Sequence, residues 1–108
     1  MTERISRSPL AEKDIADLAE YYRIEAGLAV ALRLVVNAES ATLAIAAYPK
    51  IGAALGLTSD PDLDIRRWHI EGFPRVMVLY RPTGSGINII RVIDAARDFE
   101  SIFEGERP

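Results

Sequence analysis

Apolar residues recur with a helical period along the first half of the chain and alternate like strands along the second. Ile15, Leu18, Ala19 and Tyr22 fall at i, i+3, i+4 and i+7, the signature of an amphipathic helix facing a core. Asp14, Asp17 and Glu20 lie mostly on the other side. Ser8 and Pro9 mark the start: a hydroxyl that accepts from free helix N–H groups, then a proline whose fixed φ suits the first helical position. Gly27 supplies a left-handed stop. From Leu28 to Ala47 the chain is apolar nearly all round, with Arg33, Asn37 and Ser40 forming a narrow polar stripe. That pattern predicts a second helix covered over most of its circumference. The short break at Gly27 folds it back on the first as an antiparallel hairpin. Pro49 ends it, because proline cannot donate to the preceding turn and disfavours helical geometry in Tyr48.

Residues 4 to 7, RISR, read as a short first strand. Residues 49 to 64, PKIGAALGLTSDPDLD, have turn-forming residues and no sustained period, so they predict a connecting loop. Three runs rich in branched and aromatic residues follow, Ile65 to Ile70, Arg75 to Arg81 and Ile87 to Ile93, joined by EGFP and PTGSG as an antiparallel meander. The middle run is apolar on both faces, which makes it the central strand with cover on each side. In ARDFESIFEGERP, Asp98 can cap a short helix carrying Phe99, Ile102 and Phe103, ended by Gly105. The expectation is a single α+β domain over residues 1 to 108. It has a short N-terminal strand, an antiparallel helical hairpin packed on a three- to four-stranded antiparallel sheet, and a short C-terminal helix.

Composition narrows the chemistry. The chain has 108 residues and no cysteine, which excludes disulfide scaffolds, thiolate zinc sites and cysteine nucleophiles. Its first residues, MTERISRSPLAEKD, mix charges of both signs where a secretory signal needs an apolar core, so a cytoplasmic protein is expected. The Leu28 to Ala47 segment is long enough to span a bilayer, but Arg33, Asn37, Glu39, Ser40 and Thr42 interrupt it; no membrane association is expected. The net charge of -3 argues against general nucleic-acid binding, yet it hides a split. Residues 1 to 65 hold 6 basic and 10 acidic side chains, whereas residues 66 to 93 hold five arginines against the single acid Glu71.

A lone histidine is a poor start for a metal site, and DPDLD at residues 60 to 64 lacks the glycine and distal glutamate of a calcium loop. No metal and no cofactor is expected. A metal-free ribonuclease needs a base, an acid and cations around a phosphate, and His69, Tyr80 and Arg81 are the residues to cast in those roles. The plainer alternative is that His69 is a solvent-side strand residue sharing a face with Arg67, while Trp68 and Ile70 share the core face. The arginines either blunt strand ends or form a positive face awaiting a negative partner. The candidate partner-binding set is Arg66, Arg67, His69, Arg75, Arg81 and Arg91.

Four stretches resemble the RelE/ParE superfamily of toxin-antitoxin toxins. AEKDIADLAEYY looks like its first helix, and AAYPKIG, residues 46 to 52, resembles the FPxxG signature closing the second. IRRWHIEGFPRVMVLYR matches its basic-aromatic strand, turn and apolar strand ending in Tyr-Arg; RVIDAARD, residues 91 to 98, is close to the RVLHGARD run of ParE-type proteins. Asp94 stands where that motif commonly has histidine, and Ala53 and Ala54 replace the usual Arg-Pro after FPxxG. The similarity is closer to ParE than to RelE. It implies a non-catalytic toxin that binds and inhibits DNA gyrase, neutralised by a ParD-like antitoxin whose amphipathic helix and acidic tail lie along the toxin in a hetero-oligomer. It implies no direct sequence-specific nucleic-acid binding. The alternatives are a RelE-like ribosome-dependent messenger-RNA endonuclease and a non-toxic relative that retains only antitoxin binding.

Overall fold

The computed structural model describes residues 4–56, 60 and 63–95. Its elements run β1 (Arg4–Arg7), α1 (Pro9–Ala26), α2 (Leu28–Ala47), β2 (Ala53–Ala54), β3 (Arg66–Ile70), β4 (Phe73–Pro82) and β5 (Gly86–Asp94). Both helices begin and end where their boundary residues dictate. The Ser8 hydroxyl accepts from the Ala11 N–H at 3.0 Å and donates to the Ile90 carbonyl at 2.6 Å, so one side chain both caps α1 and ties its start to β5. Gly27, at φ 99°, is the whole connection between the helices: its N–H closes on the Arg23 carbonyl and its own carbonyl accepts from Ala31.

The sheet order is β1-β5-β4-β3-β2, with β1 parallel to β5 and every other pairing antiparallel. The α+β class and the helical hairpin are as the sequence predicts, but the sheet has five strands rather than three or four and is mixed rather than antiparallel, because β1 runs beside β5 in the same direction. One of the extra pairings lies inside the expected loop, where Ala53 and Ala54 pair with Arg67 and Arg66. Two alanines carry little strand preference, so this pairing comes from backbone hydrogen bonding along an available edge. The expected C-terminal helix lies outside the described residues.

The helices cover one face of the sheet. Val76, Val78 and Tyr80 of β4, Ile87, Ile89 and Val92 of β5 and Ile70 of β3 meet Leu18, Leu34, Ala38 and Ile45 of the hairpin in one buried cluster. Trp68 is partly buried against it, on the core side that alternation assigns. The small residues Ala31, Ala38, Ala41 and Ala46 form much of the buried side of α2 and allow close approach. The outer side corrects the sequence expectation, because α2 is not covered round most of its circumference. Leu28, Leu32, Val35, Val36 and Leu43 are exposed.

β4 is the central strand, but only its hairpin side is fully buried. On its other side Met77 and Leu79 are half-buried, in rows with His69 and Ile93 and with Arg67 and Arg91.

Candidate functional site: the open sheet face and the outer face of the second helix

The six sequence-predicted partner residues do not form one surface. Arg67, His69 and Arg75 are exposed. His69 stands at the rim of a groove between α2 and β3, lined also by Asn37, Ser40, Trp68 and Glu71. Asn37 holds the far wall by donating to the Glu71 carbonyl at 3.0 Å. Arg81 follows buried Tyr80 in the strand alternation and is half-buried toward the open side of the sheet.

Arg66 and Arg91 are engaged by partners within the chain. The Arg66 guanidinium donates to the Lys50 and Gly52 carbonyls at 3.0 and 2.9 Å and to the Asp64 carboxylate at 3.1 Å. Arg91 gives a bidentate pair to Asp14 of α1 at 2.7 and 3.0 Å, and the same carboxylate accepts from the Val92 N–H at 3.0 Å. Beyond Ile89, β5 has no β1 residue beside it, and Asp14 supplies the missing acceptor.

Tyr80 explains the motif at the end of α2. Its hydroxyl donates to the Pro49 carbonyl at 2.8 Å and accepts from the Gly52 N–H at 2.9 Å, and the residue is wholly buried. A Cβ on Gly52 would fall 2.5 Å from the Tyr80 hydroxyl and 2.7 Å from the Arg67 carbonyl. Pro49 and Gly52 are therefore tied to Tyr80 across 31 and 28 residues, while Arg66 holds the carbonyls of the intervening turn. Burial raises the Tyr80 phenol pKa, opposed in part by the Gly52 N–H and by Arg66.

This arrangement disassembles the ribonuclease set. Tyr80 points into the core, whereas His69 and Met77 sit across from each other on the opposite side of the sheet. The Tyr80 hydroxyl is also enclosed by backbone partners, so it cannot meet a phosphate beside His69. His69, Tyr80 and Arg81 do not converge on one substrate position.

Asp94 has a structural setting as well. It is buried and accepts from the Tyr22 hydroxyl at 2.9 Å, linking the end of β5 to α1. Desolvation, then the Asp94 hydrogen bond, raise the Tyr22 pKa, while Arg75 beside it acts in the opposite direction. The Tyr22 ring packs edge-on against Phe73 at 5.3 Å. Among the described residues no group of three His, Asp or Glu side chains forms a metal cage.

The candidate set names only arginines and His69, whereas the structure presents a second surface on α2. The exposed face of α2 is an apolar strip carrying Leu28, Leu32, Val36 and Leu43. By composition it is indistinguishable from a buried face. Ala31, Ala38, Ala41 and Ala46 lie on the buried side, but Ala29 and Ala47 are exposed, so alanine position alone does not separate the two faces.

A solved structure described as the chromosomal ParDE TA system from P. aeruginosa has the same fold. It is 19% identical, covers 83% of this chain and 92% of its own, and has a TM-score of 0.67. A search of the curated proteins found no match. The family model for the ParE toxin of the type II toxin-antitoxin system parDE matches residues 5–99, and the chain belongs to that family.

Proposed function

We propose that this toxin acts in the cytoplasm by binding and inhibiting DNA gyrase without catalysing a reaction, and that a ParD-like antitoxin neutralises it by covering the helical hairpin. The observation that carries the non-catalytic reading is the placement of Tyr80: the hydroxyl that a nuclease would use is buried and held by Pro49 and Gly52. The antitoxin reading is supported by the exposed apolar face of α2, which suits a helix laid along it. Arg67, His69 and Arg75 remain at the surface for an acidic antitoxin tail or for the target, with Arg81 on the open side of the sheet. Their charge bears on encounter rate and selectivity more than on affinity.

The test is pulse-labelling of DNA and protein synthesis just after induction of the chain without its antitoxin, joined to a supercoiling assay with purified gyrase. DNA synthesis is expected to fall first and supercoiling to be inhibited. An earlier fall in protein synthesis, with gyrase unaffected, would move the chain to the RelE-like ribonuclease reading.

A further inference from the structure

We propose that Arg33 sets the register of the antitoxin segment on α2 by pairing with a carboxylate on a partner helix. The inference rests on the antitoxin reading above and gives that partner a definite chemistry: an amphipathic helix with an apolar face and an acid at its rim.

Leu28, Leu32, Val36 and Leu43 are 61%, 57%, 61% and 53% exposed, and Glu39, already paired with Arg7, sits on the same face between the last two. At 1.5 Å per residue they extend over about 22 Å, roughly four turns, which is the length of partner helix the strip can accept. The apolar contact supplies the buried area but specifies position poorly, because a strip of leucine and valine tolerates a shift of one turn. Register must come from a directional group.

The hairpin helices carry three cations, Lys13, Arg23 and Arg33. Lys13 pairs with Asp17 at 2.7 Å and Arg23 with Glu20 at 2.6 Å, each within one turn of α1. The only acid on α2, Glu39, is taken by Arg7 at 2.7 Å. Arg33 is exposed, has no ion-pair partner among the described residues, and lies three residues before Val36 at the rim of the apolar strip. A helix lying on the strip therefore meets one cation that the described residues leave uncompensated. An acid at that point is attracted; a lysine or arginine is repelled, and a one-turn slip removes the pairing. Rim charges of this kind select a partner and a register more than they add affinity.

The test uses the full chain and a purified ParD-like antitoxin, the partner assigned under the proposed function, with binding measured by titration at low and high salt. Arg33→Ala is expected to weaken binding several-fold and Arg33→Glu by about tenfold or more at low salt, with the loss shrinking at high salt. Val36→Ala is expected to weaken binding by an amount that salt leaves nearly unchanged. One acid-to-lysine change in the partner should restore binding to Arg33→Glu while weakening binding to the unaltered chain. Undiminished binding by Arg33→Glu, or restoration by no single acid-to-lysine change, overturns the assignment to Arg33. Failure of the unaltered chain to bind overturns the antitoxin reading itself.

Discussion

The Tyr80 hydroxyl joins segments distant in sequence, so its loss is felt as stability. Tyr80→Phe leaves the buried Gly52 N–H and Pro49 carbonyl without their partner, and about 1–3 kcal/mol of stability should go, read from denaturant melting. Gly52→Ala should cost about as much as severe overpacking, near 3 kcal/mol, because its new methyl meets the Arg67 backbone as well as the Tyr80 ring. Tyr22 and Tyr80 also give stability an alkaline limit. Each folded-state pKa is raised above the ordinary value, so the contribution is complete below about pH 10 and is lost as pH rises through the folded pKa. An alkaline unfolding curve should therefore fall above about pH 10 and flatten in Tyr22→Phe and Tyr80→Phe. Identical limbs in all three proteins would remove the tyrosines from the explanation.

At the scale of elements, the fold is held where a helix meets a strand by single polar side chains. Asp14 receives Arg91 and the Val92 N–H, and Ser8 receives Ala11 while donating to Ile90. Asp14→Ala should lower stability by about 2 kcal/mol, since it removes a bidentate pair to half-exposed Arg91 and leaves the Val92 N–H without its acceptor, against about 1 kcal/mol for Ser8→Ala. Equal losses in melting would contradict this ranking. The local signals legible in the sequence were Ser8-Pro9, Gly27, Pro49 and the three alternating strand runs, because each acts on its immediate neighbours. Asp14 read only as solvent-side, Arg91 as a docking cation and Tyr80 as a possible acid, because their partners lie 77, 77 and 28 to 31 residues away. Nothing local in Ala53-Ala54 announces a strand that exists only because the edge of β3 is free to pair. The outer face of α2 departs from the sequence expectation for a different reason. A partner-covered helix and a core helix have the same composition, and only the tertiary packing tells them apart.

At the scale of the whole molecule, a helical layer covers one face of the sheet, which puts the apolar strip of α2 and the exposed strand residues Arg67 and His69 on opposite sides. The two proposed roles can then be separated by mutation. A charge at Val36, as in Val36→Glu, enters an exposed position and should change folding stability by no more than about 0.5 kcal/mol. The same charge would be desolvated beneath an antitoxin helix, at a cost that binding cannot absorb. Cells making Val36→Glu should therefore stop growing even when the antitoxin is co-expressed. Combined Arg67→Ala and His69→Ala should act in the reverse sense if the sheet face meets the target: growth arrest weakened, antitoxin still bound, and both proteins recovered together on purification. Growth with and without antitoxin, and co-purification for each variant, give a four-way comparison. If Val36→Glu remains neutralised, the antitoxin does not use the outer face of α2. If Arg67→Ala with His69→Ala loses the antitoxin and the arrest together, both partners share the sheet, and neutralisation is direct competition for a single surface.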